Sequence, residues 1–382
     1  MNDLDLPTNI YYDANIINSD QSGNKPPPRL VFQDIRSIAI LSSPELYQLS
    51  VVRFNLQTAN SLPIFIPNIQ LNSFNPNKTT YSFTLTYYLG DEVYNAGEIF
   101  CNHIPTNLNL PVPDLTNIQD VRGPYYYVYS FNTIVEMFNN ALTEAFAELV
   151  GIAAFSGVTL PTTNPPFFEW DSDSQKFILN GDVIGFNDKE PNYISISCNT
   201  AVYTLISGFR ADYYGPDVFE GRNYILRLSR ETRGLNLFKI NNTYSVIQSY
   251  QEYSSGALFT PISSIVFTTA LIPVLPSNTA KPTIFDGDGS LVSTGNNNNI
   301  SSMITDFESQ DNNGYGFQGT LSYTPTAEYR MIDLNNSSSE KLNNIDISVY
   351  WKDQYSNLHP VYLLPGCKCD IKILFRKKQL QY

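Results

Sequence analysis

Apolar residues in this chain recur at every second position, and that period constrains the fold more than any other feature. Near the C-terminus Ile345, Ile347, Val349 and Trp351 alternate with Asp346, Ser348 and Tyr350. Tyr81, Phe83, Leu85 and Tyr87 alternate with Ser82, Thr84 and Thr86, and Ile194, Ile196 and Cys198 with Ser195 and Ser197. Successive side chains of a β-strand point to opposite faces, so each run predicts a strand with one buried and one wetter face. That is the pattern of antiparallel sheets. Further strands are expected over 29–41, 49–56, 167–170, 176–179, 224–228, 262–274, 329–334, 358–364 and 370–375. Turn signals at Asp171-Ser-Asp-Ser, Asn180-Gly181, 352–357 and Pro365-Gly366 separate them. Many short strands between such turns mean a sandwich or a barrel.

One segment breaks that period. Ile134, Phe138, Leu142, Phe146 and Leu149 fall on one stripe at helical spacing, with Glu136, Glu144 and Glu148 off it. The stripe predicts an amphipathic helix over 132–150, capped by Asn132 and stopped at Gly151, packed on a sheet rather than around a ligand. Residues 1–28 are polar and end in Lys25-Pro26-Pro27-Pro28, which reads as an extended arm that packs on something else, or as a disordered lead. The stretch 277–319, with Asp286-Gly-Asp-Gly and the run Asn296–Asn299, reads as surface loop. No repeat of fixed period is visible.

Composition narrows the function. The 382 residues can bury a sizeable core, as one large domain or two ordinary ones. Aromatics make up 13% and charged residues only 15%, so Asn, Ser, Thr, Gln and Tyr carry the polarity. A/T-rich codons would raise Asn, Ile, Tyr and Phe on their own, but they do not create alternation. The net charge of −13 argues against direct nucleic-acid binding, which calls for a basic stripe. Lys368, Lys372, Arg376, Lys377 and Lys378 are the local exception, crowded into the last fifteen residues. They read either as an interaction tail facing nucleic acid or an acidic neighbour, or as a solvated end. No run approaches the length of a membrane span, and Met1-Asn-Asp-Leu-Asp lacks an apolar signal region. A cytosolic protein with reduced thiols is expected, its Asn-x-Ser/Thr sites at Asn77 and Asn299 being products of Asn richness.

The chain offers little raw material for chemistry. It has two histidines, and Cys101 with His103 would share a strand face without any motif to activate the pair. Cys367-Lys-Cys369 is too tight for a metal knuckle, and Cys198 stands apart. Glu169, Asp171 and Asp173 read as polar groups of a hairpin loop. Asp286-Gly-Asp288-Gly-Ser290 resembles the opening of a calcium loop, but the twelfth position is Asn297 where a bidentate Glu is needed, so a turn is expected. The cluster Tyr125-Tyr126-Tyr127-Val128-Tyr129 is either a stacking surface for a sugar or partner, or a lead-in with its rings on the core. No catalytic residue, no metal and no cofactor is expected.

Several stretches resemble a known family. Leu41-Ser-Ser-Pro-Glu-Leu-Tyr-Gln-Leu-Ser-Val-Val-Arg-Phe-Asn-Leu56 followed by Leu62-Pro-Ile-Phe-Ile-Pro67 is similar to the start of virophage penton (minor capsid) proteins. So are Tyr125–Phe131 leading into the helix, and Pro165-Pro-Phe-Phe before an Asp-Ser turn. Ile345-Asp-Ile-Ser-Val-Tyr-Trp-Lys-Asp-Gln-Tyr-Ser-Asn-Leu-His-Pro360 looks like the family's terminal hairpin. The resemblance implies a mainly β fold: a single jelly-roll β-sandwich with an inserted, mostly β domain carrying one amphipathic helix. The expected division is an arm at 1–28, jelly roll at 29–90 and 260–382, and an inserted upper domain at 91–259. It also implies a homopentamer at each icosahedral vertex, bound to a double-jelly-roll major capsid protein, made in host cytoplasm and kept in the virion. The family carries no catalytic residues to transfer. Three other readings stay open at this point. A facet-forming major capsid protein needs about sixteen strands, more than the pattern supplies. A carbohydrate-binding β-sandwich attachment protein would share the aromatic loops, and a β-rich hydrolase would need an acid pair that spacing does not reveal.

Overall fold

The C-terminal alternation forms the strand Asn344–Asp353, in which Ile345, Ile347, Val349 and Trp351 are each at most 1% exposed. The computed structural model describes residues 6–20, 25–58, 61–116, 122–215, 221–228, 237–240, 244–275, 283–285, 291–294, 302–308, 319–325, 330–335 and 341–379. The chain divides into two units, residues 1–63 with 260–382, and residues 64–259. The second unit is one continuous stretch interrupting the first.

In the first unit, Asn344–Asp353 is the centre of a seven-stranded sheet. It pairs antiparallel with Ile262–Thr269 on one side, and on the other with Val31–Ile35 and Asn357–Pro360. Ser302–Phe307 extends the sheet beyond Ile262–Thr269. Thr283–Phe285 runs parallel to Asn357–Pro360 and antiparallel to Leu291–Thr294. A five-stranded sheet faces it. There Tyr47–Gln57 pairs with Lys368–Lys377 in a register running from Leu56 opposite Cys369 to Tyr47 opposite Lys377. Asn9–Ile17 lies beyond Lys368–Lys377, while Thr320–Tyr323 and Ile332–Asp333 pair with the other edge of Tyr47–Gln57. Both ends of the chain therefore meet in one sheet. Between the sheets, Phe54 contacts Phe267 and Phe307 with ring centroids 4.9 and 5.9 Å away, which makes the unit a β-sandwich.

Several expectations need correcting here. Residues 9–17 are not a disordered lead but an extended arm packed on the chain's other end: Ile10, Tyr12, Ala14 and Ile16 turn inward, and every residue of Asn9–Ile17 has a partner on Lys368–Lys377. The stretch 277–319 is not only loop, because it supplies Thr283–Phe285, Leu291–Thr294 and Ser302–Phe307. Ile304 and Phe307 of the last of these are buried at 1% and 7% exposure. Asp286, Asp288 and Asn296–Asn299 lie outside the described residues. Asn180-Gly181 is no turn either. It belongs to the strand Lys176–Asp182, where Leu228 and Phe186 crowd so closely that a Cβ on Gly181 would lie 2.5 and 2.8 Å from their side chains. The strand count expected from the pattern was also too low, since the described residues hold 22 strands.

The second unit holds a six-stranded and a four-stranded sheet. In the larger one Lys78–Leu89 pairs with Asn192–Cys198, Glu92–Asn95 and Ile99–Asn102, and Tyr224–Leu226 and Ala211–Tyr213 extend it beyond Asn192–Cys198. The smaller has the order Leu237–Ile240, Tyr244–Tyr250, Lys176–Asp182, Phe167–Asp171. The sequence reading grouped 64–90 with the sandwich, whereas Lys78–Leu89 is central here. Alternation tells which face of a strand is buried, not which sheet it joins.

The helix spans Phe131–Phe155 and buries Ile134, Phe138, Leu142, Phe146 and Leu149 as expected, with Met137, Ala141, Ala145 and Ala153. Phe138 meets Phe83 of the larger sheet at 5.4 Å and Phe168 of the smaller at 5.7 Å. Its ends differ from expectation. Ser130, not Asn132, is the cap, its hydroxyl accepting from the Asn132 amide. Gly151 faces open space and does not interrupt the helix; Gly157, at φ +75°, is the residue that ends it. Two short helices, Val183–Phe186 and Thr200–Leu205, have no counterpart in the sequence reading.

Candidate assembly surface

The five basic residues near the C-terminus are not a tail. Lys368, Lys372, Arg376 and Lys377 lie on Lys368–Lys377, an interior strand of the five-stranded sheet, and Lys378 follows it. Cys369, Ile371, Ile373 and Phe375 fill the inner face of that strand, so the intervening polar residues are turned outward. On the outer face, Arg53 reaches Asp13 at 3.4 Å and Asp370 at 3.3 Å, Lys372 reaches Asp13 at 3.3 Å, and Asn55 donates to Asp370 at 3.0 Å. Lys378 pairs with Asp333 at 3.3 Å. The Asp333 carboxyl is held below its usual range by the Gln48 amide and by this lysine. The face is thus a ladder of mixed charge across three strands rather than a basic patch, with Lys368 and Arg376 left exposed. Each such exposed pair is worth at most about 1 kcal/mol, so the ladder sets register and surface chemistry more than stability.

The remaining candidates are structural in their settings. His103 is buried and its Nε2 lies 2.9 Å from the Tyr125 carbonyl, with the rings of Tyr125 and Tyr126 against it. Burial lowers its pKa to about 4 and pushes the neighbouring Cys101 thiol up, the reverse of an activated pair. Tyr125, Tyr126 and Tyr127 are all buried, and Tyr126 donates to the Pro76 carbonyl at 2.8 Å, so their rings serve the core. Glu169 accepts from Asn180, and Asp171 accepts from the Asp173 amide within its hairpin turn. Cys101, Cys198, Cys367 and Cys369 are free and buried. No three His, Cys, Asp or Glu side chains among the described residues converge on a metal-sized point, and no helix among them is long and apolar enough to cross a membrane.

Two buried acids went unnoticed in the sequence, Asp182 and Asp353. Asp353 accepts from the amides of Tyr355 (2.8 Å) and Asn357 (2.9 Å), the Asn357 side chain (2.8 Å) and His359 Nε2 (3.0 Å). Burial pushes its pKa up, but the bonds from His359 and Asn357 outweigh that and hold the carboxyl below its ordinary range. His359 stacks on Trp351 with centroids 4.0 Å apart. The four bonds to the Asp353 carboxylate lock the turn between Asn344–Asp353 and Asn357–Pro360.

What the geometry offers is therefore two β units, each closely packed, with a patterned exterior on the first, and comparison with known proteins decides what such units are for. The family model for Sputnik minor capsid protein V18/19 matches residues 10–377. This chain belongs to that family. Two Sputnik virophage proteins are similar in sequence. Uncharacterized protein V18 is 34% identical over 154 residues, covering 38% of this chain and 87% of the relative. Structural protein V19 is 22% identical over 218 residues, covering 56% of this chain and 94% of the relative. A chain in the 3.5 Å cryo-EM structure of the Sputnik virophage superposes with a TM-score of 0.77 at 25% identity, over 99% of this chain and 100% of that one. The mavirus penton protein shares the fold, with a TM-score of 0.60 at 17% identity over 97% and 100% of the two chains. The V18/19 family member described here is a structural protein of the virion capsid, and its sandwich is the jelly roll that the resemblance implied.

Proposed function

We propose that five copies of this V18/19 family chain form a closed ring at each fivefold vertex of the capsid. A double-jelly-roll major capsid protein surrounds the ring, and the work of the chain is assembly, with no reaction to catalyse. The observation that carries this reading is the likeness to the mavirus penton protein, which spans 97% of this chain and all of that one. A ring of identical subunits repeats one head-to-tail contact until it closes. Tyr11, exposed on this surface, and the surface's Asn and Gln side chains suit such contacts, because neutral polar and aromatic groups desolvate at modest cost. Of the five basic residues, Lys372 and Lys378 already hold Asp13 and Asp333. Lys368 and Arg376, both exposed, are the ones left to face an acidic neighbour in the virion. Synthesis in the host cytoplasm precedes assembly.

The test is the mass of the purified full chain by size-exclusion chromatography with light scattering, alone and mixed with the major capsid protein. A particle of five times the 43.1 kDa chain mass in either condition supports the ring. A monomer, or any other closed number, in both conditions overturns it.

A further inference from the structure

Two turns of the 64–259 unit hold apolar side chains out in solvent. Phe74 is fully exposed, Leu108 is 85% exposed and Val112 64%. Neither turn is slack. The Ser73 amide donates to the Gln70 carbonyl at 3.2 Å, the Asn75 amide to Ser73 Oγ at 3.0 Å, and the Asn77 amide to Asn75 Oδ1 at 2.9 Å. In the other turn the Asn109 amide donates to Asn107 Oδ1 at 3.1 Å, and prolines flank Val112 on both sides. The turns share a base. Tyr126 holds the Pro76 carbonyl, Tyr125 donates to Asn77 Oδ1 at 3.0 Å, and the His103 amide donates to the Asn77 carbonyl at 2.7 Å. Leu110 packs on the same tyrosines.

The sequence around these turns carries no charge. Between Arg53 and Lys78, and again between Glu98 and Asp114, there is no Asp, Glu, Lys or Arg, and the one histidine there, His103, is buried. The polar side chains of 71–77 and 104–113 are all Asn, Ser or Thr. A fixed turn that exposes Phe and Leu keeps apolar area in water, which calls for an apolar partner. A protein partner would have to offer a hollow of matching shape for each projecting side chain. A bilayer asks for less: apolar side chains at the acyl boundary, uncharged polar groups among the headgroups, and no pocket. A long uncharged margin suits that setting, because a carboxylate or ammonium carried into it would lose its water.

We infer that the turns carrying Phe74 and Leu108 insert into the surface of a neutral bilayer, with Phe74, Leu108 and Val112 at the acyl boundary and the asparagines among the headgroups. With a net charge of −13 the chain is repelled by anionic lipid, so zwitterionic phosphatidylcholine is the surface it fits. The contact is peripheral and spans nothing. It is independent of the ring proposed above, because every residue it uses lies on the 64–259 unit and it holds for any number of subunits.

Flotation of the full chain with phosphatidylcholine vesicles tests it. Half of the protein should float at a lipid concentration on the order of 1 mM or below. Salt should change this little, and added phosphatidylserine should weaken it. Phe74→Ser and Leu108→Ser should each weaken binding about fivefold or more, at unchanged melting temperature because both side chains are exposed. Tyr355→Ser, an exposed aromatic on the other unit, should leave it unaltered. Three results overturn the inference. The first is no flotation up to about 10 mM lipid. The second is flotation that either serine variant retains in full, including the case where the variant changes only the mass of the assembly with the major capsid protein and the turns are a protein contact. The third is binding that rises with phosphatidylserine and falls with salt. None of these outcomes bears on whether the chain closes into a ring of five.

Discussion

Phe54 and Phe267 meet edge to face across the two sheets of the jelly roll, with ring centroids 4.9 Å apart and planes at 81°. Phe54 comes from before the inserted unit and Phe267 from after it, and both are fully buried. Phe307 completes the cluster, 5.8 Å from Phe267 and stacked on Tyr323 at 4.4 Å. The insertion is tolerated because the strands on either side of it bury each other. Phe54→Ala would leave a ring-sized void between sheets that cannot close over it, at a cost of about 3–5 kcal/mol. Urea unfolding of the full chain, followed by far-UV circular dichroism, reads that loss. A change below about 1 kcal/mol would mean that the sheets adjust and the cluster is dispensable.

The charged ladder should behave differently. Arg53 bridges Asp13 and Asp370 with about half of its side chain exposed, so solvent and salt screen both contacts. Arg53→Ala is expected to cost at most about 1 kcal/mol, and less at high ionic strength than at low. Melting temperatures in low and high salt check this. A larger loss that salt does not reduce would identify packing of the arginine stem, not charge, as its contribution.

Much of this architecture could be read from period alone. Ile345 to Trp351, Tyr81 to Tyr87 and Ile194 to Cys198 all became strands, and the stripe from Ile134 to Leu149 became a helix. Asn9–Ile17 was legible as an extended arm but not as a strand of the sandwich, although Ile10, Tyr12, Ala14 and Ile16 alternate there, because its partner lies at the other end of the chain. Ser302–Phe307 was hidden by Asn-rich flanks. Lys78–Leu89 was read as a strand and assigned to the wrong sheet, because pairing partners are a long-range property that no local pattern encodes. The donors to Asp353 are local, running only from Tyr355 to His359, but that segment read as nothing more than a polar turn.

Gly181 gives a sharp local test. A Cβ there would lie 2.5 Å from Leu228 Cδ2 and 2.8 Å from Phe186 Cβ, so Gly181→Ala requires side chains of the core to shift. Overpacking of this kind costs about 1–3 kcal/mol. Gly151→Ala is the control, because it faces open space within the helix and should stabilise by up to about 1 kcal/mol. Thermal melts of both variants against the parent chain should move in opposite directions. The same sign for both would contradict the packing described around Gly181.

His103 predicts a specific dependence on pH. Burial lowers its pKa from 6.5 to about 4, so the folded chain keeps the ring neutral where the unfolded chain protonates it. Stability should therefore fall as pH drops from about 6.5 to about 4, by something on the order of 3 kcal/mol, and this group adds no further loss below that. His103→Gln can still donate to the Tyr125 carbonyl but cannot titrate. Its stability, measured by urea unfolding across this window, should depend on pH less than that of the parent. Parallel curves would show that His103 is accessible to protons in the folded state.

Asp353 acts in the window below. Its carboxyl is held under its ordinary value of 3.8 by His359 and Asn357 against the opposing effect of burial. A lowered folded pKa stabilises the chain above the unfolded value, and the contribution disappears as pH falls through the lowered one. Asp353→Asn keeps the shape of the side chain but replaces an acceptor oxygen with an amide facing donors. At neutral pH it should cost about 1–3 kcal/mol, and the gap between variant and parent should narrow once the pH falls below 3.8. Melting temperatures between pH 7 and pH 3 measure both effects, with far-UV circular dichroism confirming that the fold persists at the acid end. A gap that stays constant through that range would mean that the turn from Asn344–Asp353 to Asn357–Pro360 is held by its backbone alone, with the carboxylate a bystander.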